Sequence, residues 1–163
     1  MNGNLLQIPM ASYTSPQKIL SEANQRDHWR KAHTRHALQR LIAKASTIKA
    51  LAECQIKPAM PIVVLLVLHS PYRLDSDNLA GAFKHVRDGI TDGIQAALPN
   101  PPKDDSDRIE WAYIQRSESR SIGYEAVLFN FDERAANHAV ERMRAAIEER
   151  EPGYGSVCTV WQP

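Results

Sequence analysis

The stretch Arg73–Ile90 reads RLDSDNLAGAFKHVRDGI, and a second acidic stretch, KDDSD, follows at Lys103–Asp107. Asp75 and Asp77 stand one residue apart, just ahead of a run with helical periodicity. Carboxylates this close repel one another unless a cation or a donor neutralises them. Asp77 falls where a helix N-cap is expected, which accounts for one aspartate and leaves Asp75 unexplained. An EF-hand loop also opens D-x-D, but it needs an oxygen ligand at its fifth place and glycine at its sixth. This chain has Leu79 and Ala80 there. The chemistry that remains is that of a hard cation. Mg²⁺ takes octahedral oxygen ligands and keeps several waters, so two or three carboxylates suffice. On extended backbone a spacing of two points Asp75 and Asp77 the same way. Asp105 or Asp104, from the loop ahead of the next strand, would close the site.

On a straight helix Asp77, Gly81, Lys84 and Asp88 share the face opposite Leu79, Phe83 and Val86. Lys84 then stands about two turns, roughly 10 Å, beyond Asp77, and helical side chains lean toward the N-terminus. Its ammonium is a candidate for offsetting charge on a phosphoryl group. The competing reading is a plain i,i+4 surface pair with Asp88.

These residues need elements to hold them. Ile62–Leu68, IVVLLVL, is a short β-branched run that suits a strand buried on both faces. Leu79, Ala82, Phe83, Val86, Ile90, Ile94 and Ala97 form one apolar stripe, predicting loop passing into helix over Asp75–Leu98. Ahead of them, residues 5–9 suggest a first strand, with loop around Ser12, Ser15 and Pro16. A helix is expected from about Arg26 to Ala52, with Leu38, Leu41, Ile42, Ala45, Ile48 and Ala52 at helical spacing. Arg108–Gln115 and Tyr124–Phe131 alternate as two strands joined around Ser119–Gly123. Asp132 would cap a last helix, Glu133–Glu149, before a final strand at 155–161. The expected architecture is a single α+β domain over 1–163 with a mixed sheet, in the order β-α-β-α-β-β-α-β. Residues 1–24 are partly loop, and 132–163 form a helix-and-strand extension.

The chain's 20 Lys+Arg against 19 Asp+Glu leave a formal charge of +1, so overall charge names no partner. Its distribution does. Between Gln25 and Lys49 stand Arg26, Arg30, Lys31, Arg35, Arg40, Lys44 and Lys49 against Asp27 alone, a local basic segment suited to phosphate backbones. Cys54 and Cys158 show no metal-binding spacing and read as free thiols. His28, His33 and His36 point in different directions on one helix, which argues against zinc. Trp29, Trp111 and Trp161 read as core residues before stacking platforms. No signal-peptide pattern opens the chain, and its longest apolar run is too short to span a bilayer, so no membrane partner and a cytoplasmic location are expected.

LDSDNLAGAFKHVRDGI followed by KDDSDRIEW resembles the signature of the RusA-like Holliday-junction endonucleases, D-x-D-N-L at a helix start and a D-D pair at the head of a strand. IPM followed by NQRDHWRKAHTRHALQR resembles that family's opening strand and basic helix, so the likeness spans roughly residues 5–130. The resemblance implies a small homodimeric α/β nuclease that binds four-way or branched DNA junctions and nicks opposed strands with Mg²⁺, or Mn²⁺ in its place. Carried over, the metal-binding acids are Asp75, Asp77 and Asp105. Lys84 would stand in for the family lysine, whose usual position is Gly81 here. Arg73 is what remains of an arginine run before the motif. Arg73 and Lys103 would hold the scissile strand at the rim, while His28, Arg30, Lys31, Arg35 and Gln39 would meet backbone phosphates. Two further readings stand beside this one: a junction-binding relative that hydrolyses nothing, and a structural or interaction protein in which metal only orders the acidic loops.

Overall fold

A computed structural model of the chain describes residues 11–20, 29–54, 62–98, 109–116 and 122–130. Among these residues seven elements follow one another: β1 (Ala11–Ser15), α1 (Trp29–Glu53), β2 (Ile62–His69), α2 (Ser76–Ala82), α3 (Lys84–Ala97), β3 (Ile109–Arg116) and β4 (Gly123–Asn130). The four strands form one mixed sheet in the order β1-β4-β2-β3. This is the expected α+β class. The expectations for residues 5–9, for the helix over 133–149 and for the strand after it lie outside the described residues.

The β2 run does what an unbroken apolar strand should. Ile62, Val64, Leu66 and Leu68 join the core under the helices, while Val63, Leu65 and Val67 join a second buried cluster with Ala112, Ile114, Val127 and Phe129. Such a strand belongs in the sheet's interior, and β2 sits between β3 and β4. β2 and β3 run parallel from Ile62↔Ile109 to His69↔Arg116. β4 runs antiparallel to both β1 and β2. β3 and β4 are therefore not a hairpin, because β2 lies between them. Gly123 has φ +151, and a Cβ there would collide with the Ser15 carbonyl oxygen, so the start of β4 requires a residue without one. The first strand also differs from expectation: residues 11–15, read as loop, form β1. Along it Ala11 and Ser15 are buried while Ser12 and Thr14 are exposed, the alternation of a strand with one face on the core.

The helices pack on one sheet face, where Leu79, Phe83, Val86, Ile90 and Ile94 are all fully buried, as their spacing predicts. The expected single helix is broken at Phe83 (φ −85, ψ 0) into α2 and α3. α1 departs further. Its buried residues are Gln39, Ala43, Thr47, Ala50 and Leu51. Leu38, Leu41 and Ile48, expected on the core side, are 49%, 62% and 38% exposed. The cause lies in α3. A Cβ on Gly89 would collide with the Arg40 carbonyl oxygen and lie 2.8 Å from Ala43 Cβ, and one on Gly93 would lie 2.7 Å from Thr47 Cβ. Two faces of small residues bring the helix backbones together, and large side chains on α1 would hold them apart. Trp29, read as a core residue, is 66% exposed, whereas Trp111 is buried beneath the Arg87 guanidinium at 4.9 Å. Among the described residues no helix is long and apolar enough to cross a membrane.

Candidate acidic site at the strand–helix junction

The loop leaving β2 is pinned by the neighbouring strand. The Ser70 backbone N–H donates to the Arg116 carbonyl at 3.1 Å, and Tyr72 N–H donates to Ser70 Oγ at 3.2 Å. Gln115, buried near the end of β3, spans the loop with its amide. Its Oε1 accepts from Leu74 N–H at 3.0 Å, and its Nε2 donates to the Tyr72 carbonyl at 3.2 Å. Gln115 thereby fixes the residues just before Asp75. Sequence reasoning missed it, since one glutamine in an alternating strand carries no distinguishing mark. The signal that could have found it is a polar residue at an inward-facing position, which must find partners when buried.

The junction then opens into α2, and here the cap differs from expectation. Asp75, not Asp77, is the N-cap. Its backbone is extended (φ −69, ψ 169), Oδ1 accepts from Asn78 N–H at 2.9 Å, and Oδ2 accepts from Asn78 Nδ2 at 2.8 Å. An N-cap side chain reaches the N–H two or three residues on, so Asp75 and Asn78 are the correct pair. Asp77 falls in the first turn instead, exposed, where negative charge is favoured by the helix dipole. The Asn78 backbone N–H, followed by its side-chain amide, lowers the Asp75 pKa below the ordinary carboxylate value. Each oxygen keeps acceptor capacity beyond its bond to Asn78. Asp75 and Asp77 are thus two solvent-facing hard donors, one held ionised, of the type Mg²⁺ takes. Among the described residues no group of three metal-ligating side chains comes together. Lys103, Asp104 and Asp105 lie outside the described residues, as does His28.

Strand direction bears on how Asp105 could join. The β2–β3 register covers seven residue steps, about 23 Å, and the Asp75 loop is tied to the far end of β3. Asp105 precedes Ile109 by four residues, a reach of at most about 14 Å.

Lys84 opens α3 as an exposed residue. The pair with Asp88 is not formed, since Asp88 lies 3.8 Å from His85 Nδ1 and Lys84 has no ion-pair partner among the described residues. Gly81 faces open space, with nothing within 4 Å of the place a Cβ would take. Arg73 is exposed beside the junction.

The basic segment lies on α1. Arg30, Lys31, Thr34, Arg35 and Leu38 line a shallow, open groove of about 460 Å³. Gln39 does not belong to it: the side chain is 2% exposed, on the packed face of the helix, and cannot meet a phosphate there. Contacts along the helix pair fix its direction. The His36 ring stacks on His85 at 3.8 Å, Arg40 makes a two-pronged bridge to Asp92 at 2.7 and 2.9 Å, and Thr47 lies against Gly93. Residue numbers rise together on both helices, so α1 and α3 run parallel. The start of α1 therefore lies toward the same end of the sheet as α2 and the start of α3. Arg30 is about 9 Å along the axis beyond His36, on the side of Lys84 and the acidic junction. No protein-family model, curated protein or solved structure matches this chain.

Proposed function

We propose that this chain is a Mg²⁺-dependent, structure-specific endodeoxyribonuclease that nicks four-way or otherwise branched DNA and works as a homodimer. The observation that carries the reading is the parallel alignment of α1 with α3. It sets the basic start of α1 and a pair of exposed carboxylates at one end of the fold, as a phosphodiester substrate and a hard cation would require together. Asp75 and Asp77 hold the cation, with Asp105 as the third acid, and Mn²⁺ is an alternative occupant. When bound, the ion supplies an activated water and neutralises charge on the scissile phosphate. Arg30, Lys31 and Arg35 bind backbone phosphates without reading bases. Lys84, free of Asp88, offsets negative charge near the junction, and Arg73 holds the strand at the rim. The distance along β3 favours Asp105 arriving from the second protomer.

The test is nicking of a labelled four-way junction with Mg²⁺ and with chelator, by wild type and by Asp77→Asn. Asp77 is not the cap, so the variant should fold normally, bind the junction and lose at least a hundredfold in cleavage. Equal cleavage by both proteins would remove Asp77 from the chemistry. A binding-only relative is the second reading, favoured because both oxygens of Asp75 accept from Asn78, the task of a helix cap. It predicts junction binding with no nicking in either metal.

A further inference from the structure

Leu38, Leu41, Ala45, Ile48 and Ala52 follow one another on α1 at steps of three, four, three and four. All five are exposed, Leu38 at 49%, Leu41 at 62% and Ile48 at 38%. At 100° per residue their mean direction lies roughly 160° around the helix from the packed residues Gln39, Ala43, Thr47, Ala50 and Leu51. The helix thus carries an apolar stripe on the side opposite its packed residues. A helix that stands on a protein surface ordinarily turns a polar face outward. This one turns out the alternating three-and-four seam that a second helix fills by knobs-into-holes packing.

We infer that this seam is where two copies of the chain meet, α1 against α1 about a two-fold axis; the inference rests on the homodimeric reading above and names its face. The seam is self-complementary, as a two-fold contact requires. Counted from Ala45, its members stand at −7, −4, 0, +3 and +7. An antiparallel crossing at Ala45 sets Leu41 against the second copy's Ile48 and Leu38 against its Ala52, with the small residue at the point of closest approach. Lys44, beside the crossing, lies toward the α3 side, its carbonyl oxygen 3.0 Å from the place a Gly93 Cβ would take. A single contact between helices of this length falls short of the ~1,200 Å² typical of stable interfaces, so association is weak and reversible. The groove lined by Arg30 to Leu38 ends where the seam begins, so the antiparallel pair sets two such grooves at opposite ends of the contact.

The experiment is sedimentation equilibrium of the full chain from about 1 to 200 µM, without DNA or metal, for wild type and Leu41→Glu. Wild type should move from 18.3 kDa toward twice that mass across the series, and the variant should stay at 18.3 kDa. Leu41 is exposed, so the far-UV circular dichroism and melting curve of the variant should match wild type, which separates a lost interface from a lost fold. Wild type remaining at 18.3 kDa throughout overturns the inference and leaves the seam to residues 131–163 or to a different protein. A variant that dimerises like wild type overturns it as well. Because association is read apart from cleavage, a dimer that does not nick supports the seam and counts against the nuclease, while a nicking monomer does the reverse.

Discussion

At Gly89 and Gly93, α3 meets α1 nearly backbone to backbone, whereas Asp75, Asp77 and Gly81 on the same stretch of chain face solvent, and the junction there is held by a cap and a borrowed glutamine. The glycines make the contrast sharp. Two of them are spaces that another helix occupies, and the third faces nothing. Stability is concentrated at the first region because its contacts are close-packed and have no room to adjust. The second region carries charge and donors that the fold scarcely depends on. Changes that unfold the protein and changes that alter its chemistry should therefore fall at different ends of one twenty-residue stretch.

The largest effect should come from Gly89→Ala. The new methyl gains roughly 1 kcal/mol of helix propensity, but its collision with the Arg40 carbonyl forces the helices apart. The net loss should be about 2 kcal/mol, read as a lower urea midpoint. An unchanged midpoint would mean that the helices separate freely, and the contrast would fail. Next comes Asp92→Asn, which breaks the two-pronged bridge to Arg40. That bond lowers the Asp92 pKa below the ordinary carboxylate value. A depressed carboxylate stabilises above its unfolded pKa, about 3.9, and its contribution disappears as pH falls through the lower folded value. Both partners are substantially exposed, so the variant should be weaker by only about 0.5–1 kcal/mol at pH 7. That gap should close when melting is repeated below pH 3. A constant gap would point to packing rather than charge. The smallest effect should be Gly81→Ala, a gain of about 0.5 kcal/mol near the end of an open helix, measured in the same urea titration. A loss there would show that this position touches something, and the two regions would be less distinct.

Much of this arrangement was legible in the residues. Seven apolar residues in a row announced β2 as an interior strand, and the Leu79–Ile94 stripe announced the face on which α2 and α3 pack. The spacing of Asp75 and Asp77 ahead of the stripe marked the strand–helix junction, where both are exposed. What was not legible has physical causes. Large apolar side chains usually mark the core, so the α1 stripe pointed the wrong way. The actual contact uses alanine, threonine and glycine, whose signal is their size and depends on a partner distant in sequence. The cap was misplaced by two residues because Asp75 and Asp77 are both competent caps, and only the entry angle of the chain chooses between them. The place of β4 between β1 and β2 is a matter of long-range pairing, which adjacent residues do not encode.

The Gln115 amide has one more consequence, and it concerns entropy. Fixing a residue's backbone costs about 1–2 kcal/mol in lost freedom, and a loop that orders only around its ligand loses that amount from its affinity. Here the backbone at Tyr72 and Leu74 is already tied to β3, and the carboxylate of Asp75 is already seated on Asn78. Any ligand that met this junction would meet a backbone already ordered in folding, so its binding would not carry the cost of ordering these residues.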